Sequence, residues 1–149
     1  MVGRRGEAPP DPRATHWKRP KTLAGEITAL GLKPADIKYL AISHSHPDHV
    51  GNVELFPEAL LLVQKAEYEW PTPLGIGRFK PEHPVKQLGG DYDVFGDGSV
   101  TLLATPGHTP GGICYRLDDR EVPACFVGDT LFAGSIGRSN PGTLYETHL

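Results

Sequence analysis

The chain has 149 residues, with 15 Lys and Arg against 18 Asp and Glu and a formal net charge of −3. That length suffices for one domain with its own core, and the mildly acidic balance supplies no basic stripe for a phosphate backbone, so nucleic acid is not an expected partner. No apolar stretch approaches the ~20 residues that span a bilayer, and Arg4-Arg5 is followed by no hydrophobic region. Membrane association is therefore not expected, and a cytoplasmic location is the default expectation.

Residues 1–19 hold three prolines, five Lys or Arg and almost nothing apolar. Such a segment cannot bury enough surface to offset its ordering entropy, so a disordered leader is expected before a domain over 20–149. The spacing predicts a helix over 21–30, with Leu23, Ile27 and Leu30 on one face and Gly31 as its stop. Pro34-Ala35-Asp36 then leads into a buried strand over 37–43.

Directly after the apolar run Tyr39-Leu40-Ala41-Ile42 come His44, Ser45, His46, Pro47, Asp48 and His49. Neutral imidazole and carboxylate are the ligands that suit zinc, iron and manganese, and a catalytic ion needs about three of them plus an open position. Alternation sends His44 and His46 to the same side of an extended chain, where both can reach one ion. Asp48 and His49 follow as the chain turns and can serve a neighbouring site. A polar loop whose histidines only hydrogen-bond is the alternative.

Residues 51–55 read as a short helix with its N-terminus toward the site, 60–64 as a strand and 65–70 as a short helix. Residues 72–90, rich in proline and glycine, read as a long loop of the kind that forms lids. Tyr68, Trp70, Ile76 and Phe79 either wall a substrate cleft or pack on the core, and His83 is expected to be exposed. A hairpin follows, 92–95 with 99–105 around Asp97-Gly98. Its second strand runs into Thr105-Pro106-Gly107-His108-Thr109-Pro110-Gly111, which places a histidine in a turn. Cys114 and Cys125 flank a polar turn on paired strands; buried thiols are expected, with a disulfide across the hairpin as the alternative. Beyond the apolar run ending at Val127, Gly128-Asp129-Thr130 presents a carboxylate. Three strand ends thus deliver metal-ligand types to loops.

Taken in order, H-x-H-x-D-H at 44–49, G-H-T-P-G at 107–111 and G-D-T-L-F at 128–132 resemble the metallo-β-lactamase-fold hydrolases. Residues 37–69, with I-S-H-S-H-P-D-H-V-G-N-V-E-L-F-P and then L-L-V-Q-K-A-E-Y-E, are similar to the N-acyl homoserine lactonase-like branch. Residues 105–143, with G-D-T-L-F-A-G-S-I-G-R, are similar to the glyoxalase II-like thioesterases.

The resemblance implies an α/β fold, the metallo-β-lactamase αβ/βα sandwich, in a form truncated at both ends. It implies that His44, His46 and His108 bind one metal and that Asp48 and His49 bind a second, with Asp129 bridging. Zinc is the expected ion, and Fe2+ or Mn2+ suits the same ligands. Asp48 would hold the second ion, or orient the nucleophile and relay its proton. The implied reaction opens an ester, lactone or thioester bond of a small acyl substrate by attack of metal-bound hydroxide.

The family's last histidine has no match: His148 follows no apolar strand. The second metal site is accordingly expected to be incomplete, and open sheet edges would favour a homo-oligomer. Two alternatives stand beside the hydrolase: a mononuclear iron persulfide dioxygenase-like enzyme using His44, His108 and Asp129, and an inactive metal-binding fragment. Arg138 either binds an anionic substrate group or fixes its own loop. The helical domain that grips glutathione in glyoxalase II has no counterpart in the sequence.

Overall fold

In the computed structural model, residues 21–71, 79–119 and 121–139 are described. The expected leader over 1–19, Ile76 and His148 lie outside them. Helix α1, Leu23–Ala29, starts where the Thr22 hydroxyl accepts the Gly25 amide at 3.1 Å. It stops where the amides of Gly31 and Leu32 donate to the carbonyls of Thr28 and Ile27, a Schellman pair. Its buried contact is narrower than the expected face. Ile27 packs on Phe56 and Ala59, while Leu30 is 76% exposed.

Strands β1 (Tyr39–Ala41), β2 (Leu60–Gln64) and β3 (Val85–Leu88) pair in parallel in that order. Parallel neighbours require crossovers. The first carries α2 (Pro47–Val50) and a 3-10 turn at Val53–Leu55, and the second carries α3 (Lys65–Glu69). Strand β2 is covered on both faces. Leu61 and Val63 meet Ile42 and Val53, while Leu62 meets Leu88, Leu102 and Ile113. A strand buried on both sides reads as a continuous apolar run, which is why Leu60-Leu61-Leu62-Val63 shows no alternation.

Strands β4 (Tyr92–Asp93), β5 (Val100–Ala104), β6 (Ile113–Leu117) and β7 (Ala124–Phe126) form an antiparallel sheet in chain order. A small hairpin, β8 (Leu131–Phe132) with β9 (Ser135–Ile136), follows. The two larger sheets meet through the Leu62, Leu88, Leu102 and Ile113 cluster, and the Ile113 amide donates to the Ser43 carbonyl at 2.8 Å. That bond pins the start of β6 to the loop leaving β1. The chain therefore has an α/β architecture, as expected, with a parallel and an antiparallel sheet packed against each other. Among the described residues, no helix is long and apolar enough to cross a membrane.

Several local expectations differ from the structure. The first strand is shorter than 37–43, because a 3-10 turn at Pro34–Asp36 precedes it and Ser43 has already left the sheet to meet Ile113. The helix expected over 51–55 is a 3-10 turn at Val53–Leu55, and an unexpected short α-helix precedes it at Pro47–Val50, where the fixed φ of Pro47 suits a first helical turn. The expected loop over 72–90 contains β3, which exists through its register with β2, Leu61 opposite Val85 and Gln64 opposite Leu88. Cys114 is buried, but Cys125 is exposed; both are free thiols, and Cys125 lies opposite Arg116 in the ladder. His83 is buried at 8% exposure, with its Nε2 lacking a hydrogen-bond partner.

Because Leu62 joins the two sheets at 1% exposure, Leu62→Ala should cost about 2–5 kcal/mol in urea unfolding. Cys125→Ser, on the exposed strand, should stay within about 0.5 kcal/mol of the parent.

Candidate metal centre

The centre forms beyond the C-terminal ends of β1 and β2, where open α/β sheets leave room for ligands. His44 leaves β1, and His46 is the N-cap of α2 with extended backbone (φ −63°, ψ 150°). Pro47 then starts the helix, so His49 is carried on its turn. His108 comes from the loop joining β5 to β6, and Asp129 from a 3-10 turn at Gly128–Thr130 after β7. Gly128 has φ +49°, and a Cβ there would lie 2.9 Å from the Ser43 Cβ. Only glycine allows the Asp129 turn to lie this close to the β1 loop.

Ligand atoms of His44, His46 and His108 all lie within 4.8 Å of one another, as do those of His44, His49 and Asp129. His44 stands in both groups. Its ring centroid is 4.6 Å from that of His46, 3.9 Å from His49 and 4.7 Å from His108. His108 Nε2 is 3.1 Å from His46 Nδ1 and 3.5 Å from Asp129 Oδ2. His49 Nε2 is 3.5 Å from Asp129 Oδ1, so the Asp129 carboxylate spans the two groups with one oxygen toward each.

Hydrogen bonds behind the rings decide which nitrogens face inward. A carbonyl can only accept, so the 2.7 Å contact with the Arg138 carbonyl places the proton of His108 on Nδ1 and leaves the Nε2 lone pair toward the centre. The Ser43 hydroxyl lies 3.2 Å from His44 Nδ1 and 3.0 Å from His49 Nδ1. One side chain thus holds two rings by the same edge. His44 is 2% exposed, and its Nε2 is buried without a hydrogen-bond partner.

Electrostatics favour neutral ligands. Burial, with the neighbouring His49, His46 and His108, lowers the pKa of His44 to about 4, against a smaller raising effect of Asp129. Burial and His108 also lower that of His46. Both rings therefore keep their lone pairs at neutral pH, which is the form that binds a metal. An inward-facing, unpartnered imidazole nitrogen beside three further imidazoles and one carboxylate fits a divalent ion. The chemistry of the donors does not choose among zinc, iron and manganese.

Five candidate residues, His44, His46, His49, His108 and Asp129, are brought together. Asp48 is not in either group: its carboxylate is 80% exposed and 3.7 Å from His49 Nε2. Trp70 borders the centre, its ring 5.8 Å from that of His46, whereas Tyr68 and Phe79 stack on each other and Phe79 packs on the core. Arg138 contributes its backbone carbonyl, and its side chain is exposed.

Ser43, Glu67 and Thr109 are additions that the sequence reading missed. Thr109 is buried with an unpartnered hydroxyl and lines a cavity with Ser43, His44, His108 and Asp129. Paired Gly111-Gly112 after the histidine was the one available signal of close backbone approach.

A family model described as the metallo-beta-lactamase superfamily matches residues 9–148. The chain is similar to the N-acyl homoserine lactonase AttM of Rhizobium radiobacter, 39% identical over 129 residues, with 70% of this chain and 49% of the relative covered. It is also similar to the hydroxyacylglutathione hydrolase of Brucella ovis, 41% identical over 108 residues, with 72% and 38% covered. A solved N-acyl homoserine lactone hydrolase, with the product N-hexanoyl-L-homoserine bound at its catalytic metal centre, superposes with a TM-score of 0.56 at 31% identity. That match covers 66% of this chain and 40% of the other. The chain spans about half the length of the lactonases it matches.

The lowered pKa of His44 sets a pH dependence for the protein kept in chelator. Between the unfolded value of 6.5 and the folded value of about 4, the unfolded chain takes up a proton that the folded chain does not. Stability should therefore fall as pH drops through that window, by about 2–3 kcal/mol from this residue, and be unaffected by it above pH 7. Urea midpoints at pH 7 and 4.5 measure the loss, and His44→Gln should shrink it.

Proposed function

Because this chain belongs to the metallo-β-lactamase superfamily, we propose that it is a metal-dependent hydrolase opening an ester, lactone or thioester bond in small acyl compounds. One observation carries the reading. His44, His46 and His108, from two separate strand-end loops, bring their ligand atoms within 4.8 Å of one another, with the buried His44 Nε2 left for an ion. These three residues would hold one metal. His49 and Asp129 would hold a second, with Asp48 at its rim, and zinc suits such a set.

Bound ions supply a Lewis acid for the acyl carbonyl and acidify water at the site. The chain's own residues supply the arrangement. Ser43 and the Arg138 carbonyl hold the rings of His44, His49 and His108 so that their Nε2 atoms face inward. Asp48, exposed beside His49, takes up at its carboxylate the proton leaving the attacking water and passes it to solvent. Trp70 offers the acyl chain an apolar surface next to His46. Lactones and acyl thioesters are the favoured substrates because the two relatives, by their names, act on an N-acyl homoserine lactone and a hydroxyacylglutathione.

The test is metal content and turnover of the zinc-loaded full chain on N-hexanoyl homoserine lactone and on a small acyl thioester. His44→Ala and His108→Ala should reduce both metal and turnover to background, while His49→Ala should mainly remove one ion. Full activity in the His44 variant would refute the assignment. Oxygen uptake on a persulfide by the iron-loaded chain, without hydrolysis, would replace it by the dioxygenase reading.

A further inference from the structure

We propose that Glu67 is a positioning residue for the metal centre: its buried carboxylate clamps together the two loops that carry His44, His46 and His108, and so sets how tightly a divalent metal binds. Glu67 lies on α3 and is 0% exposed. Oε1 accepts the Ser45 amide at 2.7 Å and the Ser45 hydroxyl at 2.5 Å, and Oε2 accepts the Gly111 amide at 2.9 Å. Ser45 stands between the ligands His44 and His46. Gly111 closes the turn that bears His108. One side chain therefore joins chain segments 22 and 44 residues away.

Position 111 shows how close the joint is. A Cβ on Gly111 would lie 2.4 Å from the Glu67 nitrogen, so no other residue lets the loop reach the helix. The helix itself follows β2 without an intervening loop, and β2 is the most enclosed strand, so the clamp is mounted on the most rigid part of the sheet. For packing alone, an apolar side chain at 67 would serve at lower cost, since a buried carboxylate must recover its lost hydration from hydrogen bonds. What the carboxylate adds is a fixed distance between two ligand loops, and such supports tune metal affinity.

This inference rests on the reading of the centre as a metal site. The experiment is zinc affinity of the full chain by chelator competition, with the visible spectrum of the cobalt-loaded form as a second readout. Glu67→Gln keeps the shape but places an amide donor against one of the two loops. It should weaken zinc by about 10- to 100-fold and shift the cobalt bands. Ser45→Ala removes the hydroxyl bond to Glu67, keeps the amide bond and should fall between the parent and Glu67→Gln. Ile27→Ala, destabilised away from the site, should keep the parental affinity and spectrum.

Parental affinity in Glu67→Gln, with only stability reduced, would overturn the proposal. Should that variant fail to fold, an unchanged zinc affinity in Ser45→Ala would overturn it instead. A parent chain that binds no metal would remove the underlying reading as well, and is distinguished from both by the parent's own titration.

Discussion

Four imidazole rings, three of them with centroids 3.9–4.7 Å from that of the buried His44, form the constraint on which the site depends. Burial and the neighbouring rings oppose the charging of His44 and His46, so these two stay neutral lone-pair donors. Neutral rings gain little from facing one another, but several lone pairs converging with one carboxylate match a shared cation. The fold spends specific hydrogen bonds on turning the rings this way: the Ser43 hydroxyl on two of them and the Arg138 carbonyl on a third.

Holding loops from distant parts of the chain at that separation is a problem of rigidity. Strand β2 supplies the base, with Leu61 and Val63 in one core cluster and Leu62 in another. From it the order spreads outward through two short joints. The Ile113 amide on the Ser43 carbonyl fixes the antiparallel sheet to the β1 loop, and Glu67 fixes the His108 turn to the same loop. Glycine at 111 permits the second joint, and glycine at 128 lets the Asp129 turn lie against the β1 loop, since a Cβ at either would collide with its neighbour. The ligands sit on loops, but each loop is tied within a residue or two to a strand or helix.

Much of this is legible in the residues. The H-x-H-x-D-H run, His108 and Asp129 announce their chemistry by type and by position after apolar strands, and the structure brings five of those six side chains together. Helix α1 carries its own start and stop signals in Thr22 and Gly31. Features that depend on partners far along the chain are not legible. Strand β3 looks like loop because its order comes from pairing with β2. The exposure of Cys125 and the burial of His83 depend on what packs over them. Arg138 acts through a carbonyl, which every residue has, so its identity carries no signal. Glu67 sits in a charged hexapeptide, Lys65-Ala66-Glu67-Tyr68-Glu69-Trp70, where nothing separates the buried carboxylate from the exposed Glu69.

The most direct test of the account is anomalous diffraction at the zinc edge from crystals of the zinc-loaded chain. The account predicts a peak in bonding contact, at about 2.0–2.1 Å, with one nitrogen each of His44, His46 and His108. A chain whose only ordered zinc lies elsewhere, or in which His46 and His108 remain hydrogen-bonded to each other in the presence of zinc, would contradict it.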